Sequence, residues 1–137
     1  MILRFAGERP ILGFERAAGR REVYLVEGVF DWLTAVSWHL PAFSTCGTDF
    51  PEDRLGWLAR ARVIFGVFDA DRAGREAAQG FESTLGARWV PIALPEGEDL
   101  NDLGSRPGGR GLFFRLVADA RRSGSPDVGE DDGCTDR

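Results

Sequence analysis

The chain has 137 residues, 43% of them hydrophobic, which is enough for one domain with its own core. All 17 basic residues are arginine, which removes P-loop, lysine-adenylate and Schiff-base chemistry, and a formal net charge of −5 argues against a generic polyanion binder. No apolar run reaches the roughly 20 residues that span a bilayer, and the first ten residues carry charges where a signal peptide needs an apolar block, so a cytoplasmic protein without a membrane is expected.

Residues 1–20 read as an N-terminal lead-in. Glu22–Val26 (EVYLV) is a buried strand that stops at Glu27-Gly28. Val29 to Leu40 follows with apolar residues at helical spacing, closed by Pro41. Ala42 to Cys46 is a second short strand ending at Gly47, and Pro51 suits the first turn of a helix to about Arg60. Val63 to Phe68 is the most hydrophobic strand and ends at Asp69. Arg72 to Leu85 is a helix stopped by Gly86. Trp89 to Leu94 is a fourth strand, and its Pro91 places it at a sheet edge. An acidic loop from Glu96 to Asn101 precedes a last amphipathic helix, Gly111 to Arg122. Residues 123–137, rich in Gly, Ser, Asp and Glu, read as a disordered acidic tail. Alternating strands and helices predict an α/β domain over 21–122, with a mostly parallel sheet of about four strands and helices on both faces.

Cys46 and Cys134 lie far apart and His39 is the single histidine, so these residues make neither a zinc set nor a disulfide framework. His39 is read as structural. The carboxylates are more informative, because parallel α/β sheets bind ligands beyond the carboxyl ends of their strands. Three acidic groups fall there: Glu27 after the first strand, Asp69 and Asp71 after the third, and Glu98 and Asp99 after the fourth. Asp31, four residues after Glu27, can share that mouth from the first helical turn. Like charges about 4 Å apart repel by roughly 1 to 4 kcal/mol near a surface, so some acids protonate or a cation neutralises them. An all-oxygen donor set suits Mg²⁺ or Mn²⁺, which takes phosphates as further ligands. Asp31 and Asp71 can also be read as simple helix caps. The Asp-x-Asp pair occurs in haloacid-dehalogenase-like phosphatases too, but Ala73 and the absence of lysine argue against that fold.

LVEGVFD (Leu25 to Asp31) and VFDADRAGREAA (Val67 to Ala78) resemble the two signature motifs of Toprim domains, a Rossmann-like fold, and the longer likeness is to bacterial DnaG-type DNA primases and related phage or plasmid primase-helicases. LPEGEDLNDL (Leu94 to Leu103) is similar to the third, acidic primase element, and Gly47-Thr48 also fits. The resemblance implies a nucleotidyltransferase, with Glu27, Asp69 and Asp71 catalytic and Glu27, Asp69, Asp71 and Asp99 holding Mg²⁺ or Mn²⁺. Asp31, Gly28, Gly74 and Asn101 are supporting, the two glycines by allowing tight strand-to-helix turns. Many such primases have a second aspartate where this chain has Asn101, and Asp102 next door restores the charge if it turns inward. Arg72 and Arg21 are candidates for phosphate. The implied partners are nucleoside triphosphates, a DNA template held through other domains or subunits, and a replicative helicase. The chain reads as a fragment or subunit that makes no primers alone. The alternatives are a Toprim nuclease, a DNA-repair or recombination protein, and a non-catalytic module. A topoisomerase is disfavoured, since Tyr24, the only tyrosine, lies inside the first strand.

Overall fold

The apolar run Glu22–Val26 forms the inner strand β1, flanked by β2 (Ala42–Ser44) and β3 (Val63–Phe68). With β4 (Trp89–Ala93) these make one sheet in the order β2-β1-β3-β4, every neighbouring pair parallel. The structure is a computed structural model that describes residues 11–46, 58, 60–69 and 71–124, without the side chains of 72 and 73. Pro91 lies on edge strand β4 and is exposed, so its missing N–H leaves no inner ladder bond unmade.

Alternate strand residues fill two cores, as a sheet covered on both faces requires. Tyr24, Val26, Phe65, Val67, Val90 and Ile92 pack on one face against α2 (Val29–Ser37), α4 (Leu100–Gly104) and α5 (Gly109–Gly124). Val23, Leu25, Ile64, Phe68 and Trp89 pack on the other against α1 (Phe14–Ala17) and α3 (Arg72–Leu85). Each fully buried Leu, Val or Phe contributes roughly 1.5–3 kcal/mol. The Trp89 ring fills the space over Gly66 of β3, where a Cβ would stand 2.0 Å from it. Arg121 of α5 makes two 2.6 Å bonds to Glu22 and lies 5.1 Å from the centre of the Phe65 ring, tying α5 to the amino end of β1.

The structure departs from the sequence reading in several places. Residues 11–20 are more than a lead-in, because α1 packs its Ala17 into the core and Leu12 pairs with Ser44 beside β2. The first long helix ends at Ser37 rather than running to Leu40. His39 turns left-handed (φ 60), and the N–H groups of His39 and Leu40 bond back to the carbonyls of Val36 and Ala35. That is a Schellman closure. Strand β2 stops at Ser44, short of Cys46. The acidic loop gives way to α4 from Leu100, and the last helix runs from Gly109 to Gly124, two residues past the expected boundary at 122. The expected turn at Gly47-Thr48, most of the helix from Pro51, and the tail beyond 124 lie outside the described residues. Leu58 is buried, and its carbonyl accepts from Arg88 at 2.9 Å. No helix among the described residues is long and apolar enough to cross a membrane.

Candidate active site

All four strands point their carboxyl ends toward one mouth, and the loops leaving β1, β3 and β4 bring the acidic groups there. An open cleft of about 130 Å³ is lined by Asp69, Asp71, Gly97, Glu98, Asp99 and Asp102. Glu27 leaves β1 beside it, and its Oε2 accepts from the backbone N–H of Asp69 at 3.4 Å. Ser44 Oγ, buried at the end of β2, donates to the Glu27 carbonyl at 3.1 Å and steadies that turn.

Two rim acids also cap helices. Asp71 Oδ1 accepts from Gly74 N–H at 2.7 Å and starts α3. Asp99 Oδ1 accepts from Asp102 N–H at 2.7 Å, and Asp102 Oδ2 accepts from Asp99 N–H at 2.9 Å, a reciprocal box that starts α4. Asp102 thus lines the cleft and closes the box. Glu98 Oε2 is buried and lies 3.0 Å from Arg106 Nη2, off the line of a good hydrogen bond.

The electrostatics follow from crowding. Burial pushes the Asp69 carboxyl up to about 6, reinforced by the charges of Glu27, Asp31, Asp99 and Asp71. Glu27 is raised by burial, opposed by its bond from the Asp69 N–H and helped by Asp71 and Asp31. Asp31 is raised by burial, opposed by the Asn101 N–H and helped by Asp99.

Asp31 is only 7% exposed, and its Oδ1 accepts from the Asn101 N–H in the first turn of α4, beside the cleft acids Asp99 and Asp102. Asn101 sits in the first turn of α4, and its Oδ1 is 3.5 Å from Thr34 Oγ1 of α2 rather than in the cleft. At Gly74 a Cβ would meet the Asp69 carbonyl oxygen at 2.2 Å, so the chain passes too close there for a side chain. At Gly28 the φ of −112° is open to any residue, and a Cβ would make an ordinary 3.5 Å contact with Asp31 Oδ2. Arg21 precedes β1, at the end of the sheet opposite the mouth, so the fold does not bring it to the acids. Arg72 opens α3 on the mouth side, but its side chain lies outside the described residues. Ser44, Thr34 and Arg106 carry no motif signal and escape a sequence reading.

The donor set is oxygen only, which fits a hard divalent cation, and a cation would offset the crowding that raises Asp69. Among the described residues, no three acidic side chains converge closely enough to grip an ion as they stand. Their oxygens are turned to other donors: Asp71 and Asp99 to helix caps, Glu27 to the Asp69 N–H, Asp31 to the Asn101 N–H.

A four-stranded parallel sheet with carboxylates gathered beyond its carboxyl ends agrees with the Toprim resemblance of the motifs. The family model described as Toprim-like matches residues 24–104, more than half of the sequence, and the chain belongs to that family. It is 37% identical over 84 residues to a DNA primase of Geobacillus stearothermophilus, covering 58% of this chain and 14% of that protein. It is 32% identical over 88 residues to the uncharacterized protein MG010 of Mycoplasma genitalium, covering 59% of this chain and 40% of that one. The RNA polymerase domain of Mycobacterium tuberculosis primase DnaG superposes with a TM-score of 0.63 and 28% identity, over 87% of this chain and 46% of that chain. The chain therefore spans less than half the length of these relatives, and its fold is the Toprim fold of primase catalytic cores.

Proposed function

We propose that the chain is the catalytic Toprim module of a DnaG-type DNA primase, a Mg²⁺- or Mn²⁺-dependent nucleotidyltransferase that makes RNA primers for DNA replication. The observation that supports it best is the meeting of three separate acidic loops at one mouth, with Asp69 driven up to about 6 by their combined charge and burial. Asp69, Asp71 and Asp99 would hold the cation, with Glu27 as a further ligand or as general acid/base. A bound divalent ion would supply charge neutralisation and a ligand site for the triphosphate of an incoming nucleotide.

The chain's own groups do the rest. Caps at Asp71 and Asp99 fix two carboxylates on rigid helix starts. Glu27, raised by burial, is suited to hold and pass a proton beside the Asp69 loop. Template DNA would be gripped by other domains or subunits, where a replicative helicase would also bind, and the module would work in the cytoplasm.

Calorimetric titration of Mn²⁺, with and without a nucleoside triphosphate, tests the reading. Binding should be seen in the wild-type chain and be lost in the Asp69→Asn/Asp71→Asn double variant, whose circular dichroism stays unchanged. Undiminished binding in that variant would move the site elsewhere. In the complete enzyme, Glu27→Gln should keep most metal and nucleotide binding yet lose turnover at least about a hundredfold, equivalent to about 2.7 kcal/mol.

A further inference from the structure

Asp31 has an unusual position for a residue of an acidic motif. It is at the third residue of α2 and 7% exposed, while the neighbouring Val29, Phe30 and Leu33 of the same helix are 45%, 71% and 50% exposed. Its Oδ1 accepts from the backbone N–H of Asn101, 70 residues away, at 3.0 Å. Asp31 Oδ2 lies beside Gly28, 3.5 Å from where a Cβ there would stand, and the Gly28 N–H opposes the rise that burial gives this carboxyl. Gly28 follows Glu27, the acid after β1, and Asn101 lies two residues past Asp99, the N-cap of α4. One carboxylate, three residues into the helix that follows Glu27-Gly28, thus holds the backbone of the loop that carries Asp99.

The surroundings keep that joint closed. Thr34, one turn further along α2, sits against Gly104, where a Cβ would meet Thr34 Cγ2 at 2.6 Å. Thr34 Oγ1 also lies 3.5 Å from Asn101 Oδ1. Helix α4 has only five residues, too few to hold its own shape in water, so its start depends on such contacts. A partly buried N–H left without its acceptor is unfavourable and loosens a single helical turn.

We infer that Asp31 is a positioning residue, a strut that sets the Glu27 turn and the Asp99 loop at a fixed separation, and that it reaches the cation site only through them. The metal side of this inference rests on the reading of the mouth as a divalent-cation site; the strut itself does not. What the strut needs is an oxygen acceptor, and what a ligand needs is charge. Asparagine keeps the first and loses the second.

The test compares Asp31→Asn with Asp31→Ala in the full chain, by Mn²⁺ titration and by hydrogen exchange of the segment 97–104. The Asn variant should bind Mn²⁺ within about threefold of wild type and exchange at the wild-type rate. The Ala variant should bind at least about tenfold more weakly and exchange at least about tenfold faster in that segment. If both variants lose Mn²⁺ equally while exchange stays slow, Asp31 is a direct ligand and the inference is overturned. If neither measurement moves in the Ala variant, there is no strut. Should Asp31→Ala fail to fold, Asn101→Pro deletes the donor, together with the Thr34 contact, in the first turn of α4, and it should show the same weakening and faster exchange; unchanged values there overturn the inference. If wild type binds no Mn²⁺, the metal reading fails and the exchange arm still decides the strut.

Discussion

Replacing Asp69 by asparagine should stabilise the metal-free chain at neutral pH. The Asp69 carboxyl titrates at about 6 in the fold against 3.8 ordinarily, because burial and then the charges of Glu27, Asp31, Asp99 and Asp71 disfavour its ionised form. Taken at face value, that difference corresponds to about 3 kcal/mol, and solvent screening at this partly exposed site reduces it to about 1–2 kcal/mol. Between pH 3.8 and about 6 the folded chain holds a proton at Asp69 that the unfolded chain has lost. Stability from this residue is therefore full below the unfolded value, falls as pH rises through the window, and the penalty is complete above about 6. Asparagine never ionises and escapes it. Urea unfolding from pH 4 to 8 with EDTA should place Asp69→Asn about 1–2 kcal/mol above wild type at pH 7.5, or roughly 3–6 °C in Tm. The two should converge near pH 4. Saturating Mg²⁺ should reverse the order, by stabilising wild type alone. A difference that does not vary with pH, or a variant less stable than wild type at pH 7.5 without metal, would refute the electrostatic account.

Gly74→Ala should destabilise by about 1–3 kcal/mol in urea unfolding, since its Cβ would sit 2.2 Å from the Asp69 carbonyl oxygen and backbone cannot swing aside. His39→Gly should raise stability by about 1 kcal/mol in the same assay and leave the metal response alone, because His39 holds φ 60 at the Schellman position. Asp99→Ser should keep the helix cap, and with it stability to within about 0.5 kcal/mol, while weakening Mn²⁺ in calorimetry; equal Mn²⁺ affinity would remove Asp99 from the ligand set. The purified chain should make no templated primers, and product on a sequencing gel would show a self-contained polymerase.

The sheet was legible because its strands are short apolar runs bounded by glycine or acid, as at Val63 to Phe68 and Asp69, and because proline marks the edge strand. The mouth was legible for a related reason, since acids directly after parallel strands gather at one end whatever the side-chain detail. What escaped depends on contacts that sequence spacing does not encode. Helix α4 hides in a polar stretch, and its signal is a box closed by Asp102 where a glutamate or glutamine is usual. The end of α2 turns on one histidine in a left-handed conformation, not on Pro41. The Asp31 bond to Asn101 N–H crosses 70 residues and leaves no periodic trace. Arg21 reads as a candidate for phosphate, yet the five-residue strand β1, about 16 Å long, stands between it and Glu27.

The helix-cap and metal-ligand readings of the rim acids are compatible once their oxygens are counted. Asp71 and Asp99 each spend Oδ1 on a backbone N–H, at 2.7 Å in both cases. A carboxylate has two oxygens, so each keeps Oδ2 for another donor or a cation. The caps anchor these side chains to α3 and α4 and bring the positive end of each helix to the rim, which offsets part of the negative charge gathered there. No donor among the described residues is hydrogen-bonded to the Asp69 carboxylate, and it is Asp69 that burial and its neighbours drive up to about 6. The cluster therefore divides into acids fixed in place by backbone donors and one acid left to its neighbours' charge. On the proposed reading, a cation bound at such a cluster would displace the proton that Asp69 holds most firmly. Metal binding in the metal-free chain should accordingly release protons below about pH 6 and almost none at pH 8, a difference that titration in buffers of unlike ionisation enthalpy reads directly.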